Sequence, residues 1–409
     1  MRNLGPVFTV EWSPDGTMLV AGGVSNKVVA LDTRGNILWE RELYGTIYDI
    51  SWSPDGGMIA VVGENFDRVV VLDPQGNLLW ETKLGEYLYP IDKVSWSPDG
   101  KWLAVAESSF QLFLLNSEGN LLWKRSISFE FNRAILDFTW SPDSSMLAVS
   151  TTLWAFSTLM VFDPNGTIIW KHELDEYTIS SPIWSPDGSM LAIITSSGKV
   201  LFFSRNGDLL WSYEEPNPKK SIGMVAAWSP DGSMLATSGK RIYGNFYSLP
   251  MVMAFSINGT KLTKMWEHVL DNIHMSARDI EWSPNGSMIA VGTYPQVIIY
   301  NSSNGKVLWR HDLQGEVMQV AWSPDGSMLA AGSISGIVAL YNATEEIKVT
   351  RSTLLDQLTL NPYIQKLTSS DDRLLVSVIL LAILLLLLLL LARRSQSKKR
   401  GQTQATKGG

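Results

Sequence analysis

Short alternations of apolar and polar residues recur along the chain, each ending on a tryptophan. Phe8, Val10 and Trp12 form one, Tyr48, Ile50 and Trp52 another, and Met318, Val320 and Trp322 a third. A period of two over five or six residues predicts an extended strand with one buried face. Ser-Pro-Asp-Gly follows and predicts a tight turn: proline presets φ, Asp bonds its own backbone two residues on, and Gly accepts positive φ. A Met-Leu-Ala or Met-Ile-Ala run then predicts a second strand. After a variable loop, a β-branched run such as Val69, Val70, Val71 and Leu72 predicts a third. A second turn, Asp73 to Gly76 or Asp163 to Gly166, leads into an apolar pair and another tryptophan, the fourth strand.

The pattern is a repeat. The tryptophan before Ser-Pro occurs as Trp12, Trp52, Trp96, Trp140, Trp184, Trp228, Trp282 and Trp322, spaced by 40, 44, 44, 44, 44, 54 and 40 residues. The fourth-strand tryptophans are Trp39, Trp80, Trp123, Trp170, Trp211, Trp266 and Trp309. Four antiparallel strands in such a period match the blade of a propeller, whose sheets pack face to face around an axis. The expected fold is therefore all-β, an eight-bladed β-propeller. After Tyr341 no fourth-strand tryptophan follows, so that strand falls to a segment such as Glu346 to Thr350, and seven blades with a frayed eighth is the alternative. The fifteen tryptophans read as blade packing. Each buries roughly 150–250 Å² in a wedge, an upper bound on the order of 4–6 kcal/mol per ring.

At Trp-Ser-Pro-Asp-Gly the chain resembles the propeller repeats of TolB-like proteins and, more loosely, the Trp-Asp repeat family. The segment Tyr300 to Trp309, with Asn304-Gly305-Lys306-Val307-Leu308-Trp309, resembles the tryptophan-docking motif of pyrroloquinoline-quinone-type propellers. Most copies here are one residue shorter between Asp and Trp. The resemblance spans residues 7 to about 345 and implies the fold; both families host unrelated activities.

Composition adds an anchor. Leu374 to Ala392 is a 19-residue run whose one polar member is Ser377, long enough as a helix to cross a bilayer. Residues 1–345 are then the propeller, 346–373 the last strand and a stalk, 374–392 a single transmembrane helix, and 393–409 a basic tail. The tail carries Arg393, Arg394, Lys398, Lys399, Arg400 and Lys407, a charge of +6 against −13 for residues 1–392. An anionic propeller argues against nucleic acid as a partner. The positive-inside rule puts the tail in the cytoplasm and the propeller outside. Sequons at Asn165, Asn258, Asn285, Asn301 and Asn342 are compatible with glycosylation there. Against this, Met1 to Val10 lacks the charged-then-apolar segment of a signal peptide. Either the start lies upstream, the span directs its own insertion, or the propeller is cytosolic on a tail anchor.

No cysteine is present, the four histidines stand at unrelated spacings, and no nucleophile elbow, zinc-helix or phosphate-loop motif occurs. No metal, cofactor or catalytic set is assigned. Comparing units with one another, the turns between strands one and two and between three and four are nearly invariant. The other two connections vary, and both emerge on one face, the expected recognition face. Its most distinctive piece is the enlarged loop Gly239 to Pro250, and Arg241, Tyr243, Phe246 and Tyr247 are the candidate partner-binding residues, arginine and aromatics being common interface anchors. Three residues before the motif tryptophan stand Asp49, Asp137 and Asp279, with Lys93, Ser181, Val225 and Gln319 in the same register elsewhere. These acids either cap strand ends by hydrogen bonds or form a ring for a cation or basic ligand. The leading expectation is a non-enzymatic membrane-anchored scaffold binding a protein or glycan on this face. The alternative is a quinoprotein-like or hydrolytic enzyme on the same propeller.

Overall fold

Blade one shows how the repeat folds. β1 (Val7–Trp12), β2 (Met18–Gly23), β3 (Lys27–Asp32) and β4 (Ile37–Glu42) form one sheet in sequence order, every pair antiparallel. Between β1 and β2, Ser13 Oγ donates to Asp15 Oδ1 at 2.6 Å, and that same oxygen accepts the Thr17 N–H at 3.0 Å. Gly16 sits at φ +70, left-handed backbone that a side chain would strain. The seventh copy has Asn285 in place of Asp and keeps the turn, because a neutral amide oxygen accepts the same bonds from Ser283 Oγ and Ser287 N.

In the computed structural model, the described residues are 5–342 except 65–66, 86–89, 108–110, 128–133, 154–155, 175, 177–179, 218–219, 244–246, 260, 271–276 and 337. They lie in a compact unit spanning Met1–Glu345 and form eight sheets. Seven have four strands, and the eighth has three among the described residues: Val317–Trp322, Met328–Ser333 and Val338–Asn342. The expected fourth strand of that blade, Glu346 to Thr350, and the expected membrane span, Leu374 to Ala392, lie outside the described residues. Among the described residues no helix is long and apolar enough to cross a membrane.

The core is divided into eight apolar clusters, one per wedge between neighbouring blades. Each motif tryptophan is buried, with 5–9 % of its surface exposed, and all but Trp12 share a wedge with the fourth-strand tryptophan of the preceding blade. Trp52 packs in one cluster with Trp39, Trp96 with Trp80, and Trp322 with Trp309. The eighth wedge closes the ring. There Val7, Val10 and Trp12 of blade one meet Ala330, Met328 and Leu340 of blade eight.

Four fourth-strand tryptophans, Trp39, Trp123, Trp170 and Trp266, bond the next blade's second turn. Trp39 Nε1 donates to Pro74 O at 2.8 Å, Trp123 Nε1 to Pro164 O at 3.0 Å, and Trp266 Nε1 to Ser302 O at 2.7 Å. The turn glycine lies flat on the indole: a Cβ at Gly76 would stand 2.8 Å from the Trp39 ring. Glycine is required there twice over, by contact and by a φ of +80.

A β-bulge falls at one position in the fourth strand of the first seven blades, on the residue before the tryptophan. Leu38, Leu79, Leu122, Ile169, Leu210, Met265 and Leu308 are each skipped by the ladder. A bulge re-aims the following side chain and disrupts the outer edge as a template for a further strand. A second set of bulges in strand one, at Phe8, Tyr48, Asp92, Leu136 and Met318, falls four residues before the motif tryptophan. It leaves the next residue of each strand on the channel wall.

One expectation is corrected. The segment Gly239 to Pro250 is an extension of the sheet, with the strands Met234–Tyr243 and Tyr247–Asn258 paired out to Tyr243 and Tyr247. The preceding strand, Lys220–Trp228, follows it outward, with Lys220 opposite Arg241. Pairing across both edges satisfies backbone groups that a free loop would leave to solvent.

Candidate functional site, the channel mouth

The register three residues before the motif tryptophan converges. Thr9, Asp49, Lys93, Asp137, Ser181, Val225, Asp279 and Gln319, one from each blade, line a single cavity of about 380 Å³. The bulged residues Phe8, Tyr48, Leu136 and Met318, with Arg278, form its rim. Strand one begins on the variable-loop side, so the cavity is the mouth of the central channel on that face. A hollow of similar volume on the opposite side, between the first turns of blades one and two, is lined by motif residues such as Pro14, Asp55 and Gly56 that recur in most blades.

The three acids of this register hold blades together. Asp49 Oδ2 accepts the N–H of Val94 in blade three at 3.0 Å, and Asp279 Oδ2 accepts that of Val320 in blade eight at 2.9 Å. Gln319 Oε1 does the same for Val10 in blade one at 2.9 Å. Asp137 accepts from Ser181 Oγ of blade five and lies 3.6 Å from Lys93 Nζ of blade three. Each of Asp49, Asp137 and Asp279 also accepts the N–H of its own next residue. The acids therefore do not cap strand ends: they bond N–H groups within the inner strands and join neighbouring blades.

The sequence reading missed a second acidic layer, two residues further along strand one. Glu11 Oε2 accepts the Trp52 N–H at 2.9 Å, and Glu281 Oε2 accepts the Trp322 N–H at 2.7 Å. Ser51, Ser95, Thr139, Ile183, Ala227 and Ala321 hold that register elsewhere, so the acids do not stand out as a motif. Their period-two spacing from Thr9 and Asp279 is the signal that finds them.

Burial dominates the electrostatics. It raises Asp49 and Asp92 to about 6 and, with the charge of Asp279 beside it, Glu281 to about 8. Burial also pushes up Asp279, and burial followed by the charge of Asp49 pushes up Glu11. Asp137, then Asp49 and Asp92, hold the Lys93 ammonium above the usual lysine range against the cost of its burial. At the rim, Arg278 Nε is paired with Glu316 of blade eight.

Of the predicted partner-binding residues, Arg241 is exposed on the extended hairpin of blade six, and Tyr243 and Tyr247 form its last described pair. Phe246 lies outside the described residues. Tyr44 is 56 % exposed and bonds Glu81 Oε2 at 3.0 Å beneath the Arg68 guanidinium. The sequons fall on the opposite face: Asn165 and Asn285 are exposed in turns, Asn258 is exposed at a strand end, Asn301 is half-buried and Asn342 is exposed. Among the described residues no group of three or more His, Cys, Asp or Glu is placed to hold a metal ion.

Two family profiles cover separate parts of the chain. Residues 6–142 match the outer membrane protein assembly factor BamB, and residues 182–249 and 280–361 match the anaphase-promoting complex subunit 4 WD40 domain. The chain is a β-propeller repeat protein. The resemblances to Trp-Asp repeat and pyrroloquinoline-quinone-type propellers are thereby met. Among solved structures it is similar to Sqt1 from Chaetomium thermophilum, with a TM-score of 0.69 at 16 % identity over 83 % of this chain and 97 % of that one. Sqt1 bound to the N-terminus of the ribosomal protein L10 gives 0.68 at 16 % identity over 83 % and 98 %. Hydrazine synthase of Kuenenia stuttgartiensis gives 0.56 at 16 % identity over 84 % and 97 %. At such identities the likeness is one of fold, and the fold carries a binding protein and an enzyme alike. No curated protein matches the chain in sequence.

Proposed function

We propose that this β-propeller repeat protein is a non-enzymatic scaffold that holds a protein partner on its variable-loop face, over the mouth of the central channel. One observation carries the reading. The loop face gathers one side chain from every blade into a cavity of about 380 Å³ with a mixed apolar and charged rim, whereas the opposite face repeats motif turns. Recognition residues sit on irregular segments held by a rigid scaffold, and concave sites with a few polar groups are the usual binding places. That a similar propeller, Sqt1, is seen bound to the N-terminus of a ribosomal protein supports a protein as the partner. The hairpin bearing Arg241, Tyr243, Phe246 and Tyr247 is the second part of the proposed surface, flanking the mouth from blade six.

In the same proposal, Leu374 to Ala392 anchors the scaffold in the membrane as a single span, with the basic tail in the cytoplasm and the propeller outside. Glycans on the sequons would then occupy the turn face and leave the loop face open. The experiment has two arms on the full chain in native membranes. Protease protection with a tag at each end is expected to leave the C-terminal tag shielded in intact cells and the propeller accessible. Chemical crosslinking is expected to recover a discrete partner, weakened by Arg241→Ala and Tyr247→Ala together. Unchanged recovery from that variant would remove the hairpin from the surface, and a shielded propeller would reverse the orientation.

A further inference from the structure

In five blades the second turn has a ring lying on it. A Cβ at Gly76, Gly119, Gly166, Gly207 or Gly305 would stand 2.5–3.0 Å from the indole of the preceding blade. The second turn of blade one has the same build: Gly35 sits at φ +80, and Asp32 Oδ1 accepts the N–H groups of Arg34 and Asn36, as Asp73 Oδ1 accepts those of Gln75 and Asn77. Among the described residues no ring lies on it. Gly35 is exposed where Gly76, Gly119, Gly166 and Gly207 are buried, and among the described residues a Cβ there would meet only Leu340 Cδ1, at 3.8 Å.

The acceptors are in place as well. Thr33 O is the counterpart of Pro74 O, which takes the Trp39 Nε1–H, and it accepts no hydrogen bond among the described residues. Gly35 O matches Gly76 O and Gly166 O, which take the guanidinium groups of Arg41 and Arg125, two residues beyond the docking tryptophan. The wall beside the turn is open: Val338 and Leu340 of blade eight are half-buried, while their counterparts Val28 and Ala30, beside the strand Ile37–Glu42, are fully buried.

This chain does not carry the ring that the turn is shaped for. In most blades the tryptophan follows the first residue of the turn by seven or eight positions, as from Asp32 to Trp39 and from Asn301 to Trp309. From Asn342 those positions are Val349 and Thr350, and no aromatic residue occurs before Tyr363. An intact second copy has no spare ring of this kind either, because each of the seven fourth-strand tryptophans packs in a wedge of its own propeller.

We propose that the second turn of blade one, with Leu340 beside it, is a docking plate for a tryptophan of a partner polypeptide, carried in an extended segment along Val338–Asn342 of blade eight. The occupied turns define the chemistry. The indole lies on Gly35 and its N–H donates to Thr33 O; an arginine or histidine two residues on donates to Gly35 O, as Arg41, Arg125 and His172 do for the next blade's glycine. Main-chain bonds of an added strand supply affinity, and the pocket for the ring selects the sequence. The plate lies on the turn side of the ring, so the inference does not rest on the loop-face reading.

The test is fluorescence anisotropy of a labelled peptide with the sequence of Gly35 to Leu43, which carries Trp39 and Arg41, titrated with the full-length protein in detergent. Saturable binding is expected, weakened about tenfold or more when alanine replaces the peptide's tryptophan. A smaller loss is expected for benzothienylalanine, which keeps the ring shape and lacks the N–H. Gly35→Ala puts a methyl group on the plate without a close contact inside the fold, and is expected to weaken binding as the alanine peptide does. Gly259→Ala makes the same change at another positive φ and is expected to leave binding unchanged; thermal melts check that both variants fold. No saturable binding, or equal affinity for the tryptophan and alanine peptides or for wild type and Gly35→Ala, overturns the plate. A raised melting temperature for Val349→Trp without peptide binding assigns the turn to this chain's own fourth strand. Dimers in light scattering that Gly35→Ala dissociates assign it to a second copy, and either result overturns the partner.

Discussion

Trp12 Nε1 donates to the carbonyl of Ala321 at 3.0 Å, joining residues 309 positions apart. With Val10 N bonded to Gln319 Oε1, it seals blade one to blade eight. The same indole-to-carbonyl bond recurs from Trp140 to Ser95, from Trp228 to Ile183 and from Trp282 to Ala227. Trp52, Trp96, Trp184 and Trp322 are as deeply buried, but their indole nitrogens have no partner.

That difference separates packing from hydrogen bonding. Trp12→Phe loses a bond and strands a carbonyl, whereas Trp52→Phe removes a donor that was unsatisfied. Both lose indole area, so Trp12→Phe is expected to cost about 1 kcal/mol more than Trp52→Phe in denaturant unfolding. Equal losses would mean that ring closure depends on apolar burial alone.

The docking of glycine on tryptophan has its own internal control. Gly76 and Gly259 both have positive φ, at +80 and +60, but a Cβ at Gly76 would strike Trp39 while one at Gly259 meets nothing within 4 Å. Gly259→Ala is expected to cost about 1 kcal/mol for backbone strain, and Gly76→Ala a further ~1–3 kcal/mol for overpacking. Thermal melts of the two variants side by side decide it; a Gly76→Ala loss no larger than that of Gly259→Ala would contradict the docking.

How much of this was readable in advance follows from where the chemistry is local. The turn at Ser13 to Met18 closes within six residues, so its sequence declares it, and the same holds for each copy. The wedge is already non-local. Trp52 shares its cluster with Trp39 of the preceding unit, a pairing that the spacing of tryptophans within one unit does not reveal. The acids in the register of Asp49 were legible because three of eight copies carry them, whereas Glu11 and Glu281 are two among small and apolar residues. The strand-one bulges fall on Phe8, Tyr48, Asp92, Leu136 and Met318, which share no residue type. The hairpin around Arg241 was read as a loop because its pairing with Lys220 and Leu249 needs a longer first strand, and nothing in a glycine- and aromatic-rich segment announces one.

The pH response follows from Glu281. Burial, then Asp279, raises it from the ordinary 4.5 to about 8, so between those values the folded chain holds a proton that the unfolded chain has released. Its contribution to stability is complete below the unfolded value and is lost as pH rises through 8. Glu281→Gln remains neutral throughout. Relative to wild type it is expected to be more stable at pH 9, on the order of 2 kcal/mol, with the gap closing near pH 5. Parallel stability profiles for the two proteins would place the Glu281 carboxylate in contact with solvent.

Site-specific photocrosslinking tests most directly whether the loop face is the working surface of the ring. A photoreactive residue is placed in turn at Leu136 on the mouth, 38 % exposed, at Leu210 on an outer strand, 43 % exposed, and at the exposed Gln75 on the turn face. Irradiation in native membranes is expected to yield a discrete protein adduct from Leu136 and none from Leu210 or Gln75. Adducts from Gln75 or Leu210 with none from Leu136 would contradict it.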